Sequence, residues 1–136
     1  QRSKEEYCGI RITLTMAELR RQRLTQAAEN AEAATRVCPE RADGWYAALA
    51  VTQHRNLVIA RKAAKGLQAL APSVENAVGA ALAEFEAEPS ETAAQAVQQL
   101  MQSPDACAAL GRWLSGAPPV VVESLEGARQ RCSPAH

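Results

Sequence analysis

The sequence predicts an all-α protein in which antiparallel helical hairpins are stacked in order, with a disulfide clasp on each terminal hairpin. Three observations lead to this fold class. Helix-favouring residues, alanine above all, dominate the composition, whereas aromatic residues make up 4% of the chain. Pro39, Pro72 and Pro104 divide the chain at intervals of 33 and 32 residues. The four cysteines lie at the ends of the first and last helical stretches.

The helices are predicted from amphipathic runs bounded by helix-breaking residues. Each of the three prolines follows one run and precedes the next. Ser73 is a predicted cap, and Ser103–Pro104–Asp105 combines a cap with a first-turn proline and acid. Further breaks lie at Pro89–Ser90–Glu91 and Gly116–Ala117–Pro118–Pro119. The short loops predict antiparallel neighbours. The predicted helices span about residues 4–21, 23–37, 41–53, 56–70, 74–87, 90–102, 105–115 and 119–131.

The cysteine spacing predicts two sequential disulfides, Cys8–Cys38 and Cys107–Cys132. The midpoint of the first pair falls near Arg23 and that of the second near Pro118–Pro119, so each bridge would close a hairpin at its open end. Two bridges indicate an oxidising compartment and would support a core of small side chains that buries little area per contact. Four reduced, buried cysteines in a cytosolic protein are the alternative. The spacing of the cysteines is not that of a zinc site, and no metal site is predicted.

A period of 32 to 34 residues with two helices per period is typical of a helical solenoid. The segment Arg23–Glu29, continuing to Ala34 and Pro39, resembles the second half of a tetratricopeptide repeat (TPR), in which small alanines let two helices approach. The resemblance covers roughly residues 8–104. It implies a short right-handed solenoid whose concave face holds a peptide, a helix or a protein edge. A compact orthogonal bundle of seven or eight helices is the alternative fold. The matching residues of the next two units are Trp45, Leu49, Ala60, Ala64, Leu67 and Pro72, then Val78, Leu82, Phe85, Ala93, Ala96 and Pro104.

The same resemblance implies which residues contact a partner, because the first helix of each repeat lines the concave face. Tyr46 and His54 are an amphipathic pair suited to gripping a peptide. A core position for Tyr46 is the alternative. Trp45 faces the neighbouring helix with Leu49 and is expected to be largely buried. The implied partner-binding residues are Tyr46, Ala50, Gln53, His54, Ala83 and Glu86.

No sequence motif predicts catalysis. GxSxG, Walker, GxGxxG and HExxH patterns are all missing from the chain. His54 is the only internal histidine, and no set of neighbours completes an acid–base site around it. We therefore predict a protein that is not an enzyme, with no catalytic residues and no cofactor.

The charge distribution bears on the partner. The net charge is zero, which argues against nucleic acid as the main partner. Residues 1–68 carry twelve Lys/Arg and seven Asp/Glu, giving +5, whereas residues 69–136 carry three and eight, giving −5. This asymmetry indicates a charge-complementary partner or end-to-end neighbours; two solvated surfaces of different composition are the alternative. No apolar run has the length of a membrane span.

Together these observations predict a single domain over residues 1–132, a flexible tail at 133–136, and a periplasmic or secreted location. The predicted function is non-enzymatic binding of a protein or peptide, as a scaffold such as an assembly or pilotin-like factor of a bacterial secretion or pilus system. The alternatives are an immunity protein that blocks a toxin and a carrier of a small apolar ligand such as haem. The oligomeric state, and a signal or lipid-anchor segment before Gln1, are left open.

Overall fold

The computed structural model describes residues 3–133, and every regular element in that range is an α-helix. The predicted all-α class is therefore confirmed. The last predicted helix is divided in two, because Leu125 (φ −105°, ψ 21°) departs from helical geometry. The helices of the described range are α1 (Lys4–Arg20), α2 (Leu24–Val37), α3 (Ala42–Thr52), α4 (Leu57–Leu70), α5 (Val74–Ala87), α6 (Glu91–Leu100), α7 (Pro104–Ser115), α8 (Pro119–Ser124) and α9 (Glu126–Arg131).

Side-chain caps determine where several of these helices begin. At α1, Ser3 and Glu6 form a capping box, in which each side chain bonds the other residue's backbone N–H. The two caps predicted from the sequence are confirmed, since Ser73 and Ser103 accept hydrogen bonds from backbone N–H groups in the first turns of α5 and α7. Such a cap contributes about 1 kcal/mol to stability. Asn56 and Ser90 cap α4 and α6 in the same way.

The helices group into two compact units, and unit 1 ends at Ala71. Within it α1 packs on α2 and α4 packs on α3, while α3 also contacts α1 and α2. Cys8, near the start of α1, is bonded to Cys38, which follows α2, so the two helices run antiparallel. The core of this unit consists largely of alanine, which permits close approach of the helices. Its buried alanines include Ala27, Ala31, Ala34, Ala47, Ala48, Ala60, Ala63 and Ala64.

Trp45 is partly buried beside Leu49, which agrees with the expectation that most of its surface is covered. Its indole lies against Gly66 of α4, where an added β-carbon would stand 2.8 Å from Cδ2 of the ring. The indole Nε1–H donates a hydrogen bond of 2.9 Å to the carbonyl of Pro39. Trp45 and Leu49 pack against buried alanines of α2, α3 and α4. These small side chains are too short to enclose the indole, which is the physical reason for its partial exposure.

Unit 2 begins at Pro72 and contains α5–α9. Helix α5 packs on α6 and α7, and α9 packs on α6 and α8. Cys107 in α7 is bonded to Cys132, which follows α9. Both predicted disulfides are therefore confirmed, and two disulfides are compatible with an oxidising compartment. The core of this unit uses larger side chains, among them Val78, Leu82, Phe85, Val97, Leu110, Trp113 and Leu125.

The charge asymmetry of the sequence coincides with the boundary between these units. Residues 69–71 carry no charge, so residues 1–71 hold +5 and residues 72–136 hold −5. That residues 1–132 form a single domain stays a prediction. Ser133 is exposed, and the rest of the predicted tail lies outside the described residues. Between residues 3 and 133, none of the helices combines the length and apolar character needed to cross a bilayer.

Candidate functional site

The start of α3 is held in place by an arginine clamp. The Nε and Nη2 groups of Arg41 donate to the carboxylate of Asp43 at 3.0 and 2.7 Å, and Nη1 donates to the carbonyl of Glu5 in α1 at 3.0 Å. The hydrogen bond from Arg41 holds the pKa of Asp43 below its ordinary value. The first turn of α3 is thereby tied to α1, which orients the side chains that follow.

Four of the predicted partner-binding residues lie together on α3 and the turn after it. Tyr46, Ala50 and Gln53 are spaced i, i+4 and i+7, so they share one face of the helix. Tyr46 is 56% exposed, and Ala50 and Gln53 are half-buried. The alternative that Tyr46 belongs to the core is therefore wrong. We refer to Tyr46, Ala50, Gln53 and the adjoining His54 as the Tyr46 face.

His54 extends this face by an unusual backbone conformation. Its φ of 66° lies in the left-handed region, which a β-carbon disfavours. The turn is supported on both sides: the side chain of Arg55 donates to the carbonyl of Val51 at 2.8 Å, and Asn56 caps α4. Nε2 of His54 lies 3.3 Å from Nε2 of Gln53. The imidazole is therefore placed beside the amide of Gln53.

The remainder of α3 explains why this face is available. Ala47, Ala48 and Val51 are buried, and they lie on the side of the helix that packs on its neighbours. The Tyr46 face is turned away from these residues by the helical period. Folding of unit 1 thus uses one side of α3 and leaves a tyrosine on the other.

The two predicted partner-binding residues of unit 2 have a different environment. Ala83 is 2% exposed and Glu86 is 7% exposed. The carboxylate of Glu86 accepts a hydrogen bond from the indole Nε1–H of Trp113, which is also buried. Buried side chains offer no accessible surface to a partner, so the Tyr46 face does not include them. The sequence pattern missed the pairing with Trp113 because that residue lies 27 positions away in another helix.

A second feature of unit 1 was not foreseen from the sequence. A groove of about 540 Å³ runs along α3 between α2 and α4, on a different side of α3 from Tyr46. No local motif marks it, because its lining comes from three helices. We call it the α3 groove. It is lined by Ala28, Glu29, Ala31, Glu32, Thr35, Arg36, Trp45, Ala48, Thr52, Asn56, Ile59 and Lys62.

The cysteines and the potential metal ligands of the described residues complete the description of unit 1 and unit 2. All four cysteines are engaged in disulfides. Among residues 3–133, the His, Cys, Asp and Glu side chains form no group of three that could hold a metal ion. The two surface features described above differ in character: the Tyr46 face is aromatic and polar, and the α3 groove is mainly apolar with charged edges.

Comparisons with known proteins found no match for this chain. No family model matches the chain, and no curated protein or solved structure matches it either.

Proposed function

We propose that this chain is a non-enzymatic protein-binding module of an exported protein, and that its partner docks on the Tyr46 face. The observation that carries the proposal is the 56% exposure of Tyr46 on a helix whose other side is packed into unit 1. Tyrosine offers a large contact area while only two side-chain torsions become fixed on binding. It is also among the residue types enriched at binding hot spots.

The neighbours of Tyr46 suit a polar protein surface. Gln53 and His54 supply hydrogen-bonding groups beside the aromatic ring, and Ala50 leaves room for a partner side chain between them. A rigid aromatic residue surrounded by polar groups is typical of protein–protein contact surfaces. Few side chains of the Tyr46 face are apolar groups that the core of unit 1 needs. We therefore relate the composition of this face to binding and not to stability.

The helical hairpins favour a repeat-type scaffold for this surface. Small residues pack α1 on α2 and α3 on α4, which is what the TPR resemblance implies for residues 8–104. In such repeats the first helix of each pair lines the concave face that contacts the partner, and α3 is the first helix of its pair. The TPR-like solenoid is part of this proposal.

The two disulfides support export, because disulfides form and persist in oxidising compartments. We place the protein in the periplasm or outside the cell. An assembly or pilotin-like factor for a secretion or pilus system is the role we favour, and an immunity protein that covers a toxin is the second. Both roles require a protein partner on an exposed surface, so the same experiment addresses them.

The test compares capture of partners by matched variants. Wild-type protein, a Tyr46→Ala/Gln53→Ala variant and a Val58→Ala control are immobilised and exposed to a periplasmic extract of the native host. Val58 is 70% exposed in the same unit and lies outside the Tyr46 face. His54→Gly is added as a separate variant, because glycine accepts the left-handed backbone at this position whereas alanine would be strained.

We expect a protein that is retained by the wild type and by the Val58→Ala control. The Tyr46→Ala/Gln53→Ala variant should lose about 2 kcal/mol of binding free energy, or roughly thirtyfold in affinity, with an unchanged circular dichroism spectrum. Equal capture of every binding protein by the wild type and the double variant would refute the assignment of this face.

A further inference from the structure

The α3 groove is a second candidate site, on unit 1 but separate from the Tyr46 face. Its floor consists of small side chains, Ala31 from α2 and Ala48 and Thr52 from α3. The Thr52 hydroxyl donates to the carbonyl of Ala48 at 2.7 Å, so its proton is not available to a ligand. With Ile59 on one wall, the lining is mainly apolar. A volume of about 540 Å³ lies within the range of small-molecule sites.

One end of the groove is marked by Trp45. The β-carbon position of Gly44 lies 3.7 Å from Cγ2 of Thr35, which places the start of α3 beside the end of α2. The Trp45 indole contacts Gly66 near the end of α4. Lys62 precedes Gly66 by one helical turn and therefore lies on the same side of α4. Lys62 is one turn from Gly66 and Ile59 is nearly two, so Lys62 lies nearer the Trp45 end of the groove than Ile59 does. Arg36, near the end of α2, lines that end as well.

The charges along the groove are unequally distributed. At the Trp45 end, Arg36 is already engaged by Glu32, whose two carboxylate oxygens lie 2.9 Å from its Nη1. Lys62 is exposed and forms no ion pair with a residue of the described chain. Glu29 lies two helical turns before Arg36 and is exposed at the other end. The groove therefore has a cation available at one end and a carboxylate at the other.

We propose that the α3 groove binds a medium-chain fatty acid. The carboxylate of the ligand pairs with Lys62 beside Trp45, and the alkyl chain runs over Ala31 and Ala48 toward Ile59. Glu29 repels a carboxylate from the opposite end and so fixes the direction of binding. The distance from the level of Arg36 to that of Ala28 is eight residues of α2, or about 12 Å, which suits an extended chain of medium length.

The choice of ligand follows from the combination of charge and shape. An apolar floor alone would accept any hydrophobic molecule, whereas Lys62 adds a preference for an anionic head group. A long alkyl chain removes apolar surface of both partners from water at roughly 25 cal/mol per Å². The ion pair, being exposed, contributes orientation more than affinity.

Calorimetric titration of the intact, disulfide-bonded protein tests the proposal directly. The probes are dodecanoate and dodecyltrimethylammonium below their micelle concentrations, and dodecanol below its solubility limit. Dodecanoate should bind saturably at one site and more tightly than the neutral or cationic analogue. Lys62→Gln should weaken dodecanoate binding about three- to fivefold, the scale of an exposed ion pair. Lys65→Gln, a neutralisation on the same helix outside the lining, should leave the affinity unchanged.

The direction of binding has its own readout in the fluorescence of Trp45. Bromine quenches indole emission at short range, so 2-bromododecanoate, brominated beside the carboxylate, should quench Trp45 strongly. In 12-bromododecanoate the bromine is carried to the other end of the groove and should quench weakly. In a Trp45→Phe variant the remaining emission, from buried Trp113, should respond to neither acid.

A pair of groove and face variants separates this proposal from the proposed function. Ala28 lines the groove and is half-buried, and Ala50 lies on the Tyr46 face and is also half-buried. Ala28→Phe should reduce dodecanoate binding at least tenfold and leave partner capture intact. Ala50→Phe should have the opposite effects. Circular dichroism of both variants verifies that they are folded.

Several results would each overturn the proposal. They are an absence of saturable dodecanoate binding, equal affinity for dodecanol together with an unchanged Lys62→Gln variant, and stronger quenching by the 12-bromo than by the 2-bromo acid. Selective binding of dodecyltrimethylammonium would also reject it, since Glu29 rather than Lys62 would then select the ligand.

Discussion

Gly66 of α4 lies directly against the indole of Trp45, and a β-carbon at that position would stand 2.8 Å from Cδ2 and 3.1 Å from Cε2 of the ring. The aromatic residue of α3 is accommodated because α4 has no side chain at the point of contact. A glycine inside a helix otherwise costs about 1 kcal/mol relative to alanine. The close contact with Trp45 is the physical reason for a glycine here.

Gly66→Ala should therefore destabilise unit 1. The added methyl group must displace the ring and lengthen its hydrogen bond to the carbonyl of Pro39. We expect a net loss of about 1–2 kcal/mol in the free energy of unfolding, since overpacking of this kind typically costs 1–3 kcal/mol and exceeds the gain in helix propensity. Urea denaturation measures it. Gly111→Ala is the matched control, because nothing lies within 4 Å of its β-carbon position, and it should be neutral or stabilising. Equal effects of the two substitutions would contradict the role assigned to Gly66.

The two disulfides should differ in their accessibility to reductant. Cys8 and Cys38 are both fully buried, whereas Cys107 and Cys132 are half-buried. Under native conditions a phosphine reductant should open Cys107–Cys132 first, because it must reach a sulfur atom to react. Maleimide labelling followed by peptide mapping at successive times measures the order. Simultaneous labelling of all four cysteines would show that opening requires global unfolding instead.

Removal of either bridge should lower stability. The bridges join residues 30 and 25 positions apart, and loops of this size correspond to about 3–4 kcal/mol in the chain-entropy description. Double replacement of Cys8 and Cys38 by serine should lower the free energy of unfolding by that amount in a unit whose core is mostly alanine, as measured by urea denaturation. A loss below about 1 kcal/mol would show that the small core stabilises unit 1 without its clasp.

Unit 1 should fold without unit 2. Residues 1–71 contain four packed helices and a buried disulfide. A chain of this size generally needs such a covalent link in order to be stable by itself. A fragment of residues 1–71 should give a helical circular dichroism spectrum and a cooperative thermal transition while oxidised, and lose the transition on reduction. An oxidised fragment without cooperative unfolding would favour the single domain predicted over residues 1–132.

The buried pair of Trp113 and Glu86 should contribute to the stability of unit 2. Trp113→Phe removes the indole N–H that donates to the Glu86 carboxylate and leaves that acceptor less well satisfied. We expect a loss of about 1–3 kcal/mol, as for other buried polar groups deprived of a partner. Glu86→Gln keeps an acceptor oxygen and should cost less. If Trp113→Phe leaves the urea midpoint unchanged, the hydrogen bond is not a stabilising one.

The Arg41–Asp43 pair should make stability depend on pH at the acidic end. The hydrogen bond from Arg41 lowers the pKa of Asp43 in the folded state. A lowered folded-state pKa stabilises the fold above the pKa of the unfolded chain, about 3.9, and this contribution is lost as the pH falls through the lowered value. The stability difference between the wild type and Asp43→Asn should therefore be constant from about pH 7 to 5 and shrink below about pH 4.

Arg41→Gln provides the control for that titration. It should remove the same pH-dependent difference, and the double variant Arg41→Gln/Asp43→Asn should add little to either single change, because both remove one interaction. Urea midpoints measured across the pH series give the stability differences between the wild type, the single variants and the double variant. A pH-dependent difference that persists in the Arg41→Gln background would assign it to another interaction of Asp43.

Local sequence signals were sufficient for the helices and for the disulfides. Ser73 and Ser103 predicted the starts of α5 and α7, because a hydroxyl side chain at that position satisfies an otherwise unpaired backbone N–H. The pairing of Cys8 with Cys38 followed from the hairpin turn halfway between them. The exception is the division at Leu125, where the loss of helical geometry involves a single residue and leaves no breaker in the sequence.

The sequence by itself determined the all-α class, the helix boundaries to within a few residues and both disulfides, since caps, prolines and hairpin spacing act over short stretches of chain. Tertiary structure alone decided which side chains are exposed. It left Tyr46 on the surface, half-buried Trp45 against Gly66, and buried Glu86 beside Trp113. The α3 groove is likewise a product of three packed helices. Exposure depends on contacts between residues distant in sequence, and an alanine-rich pattern does not distinguish a buried face from an open groove.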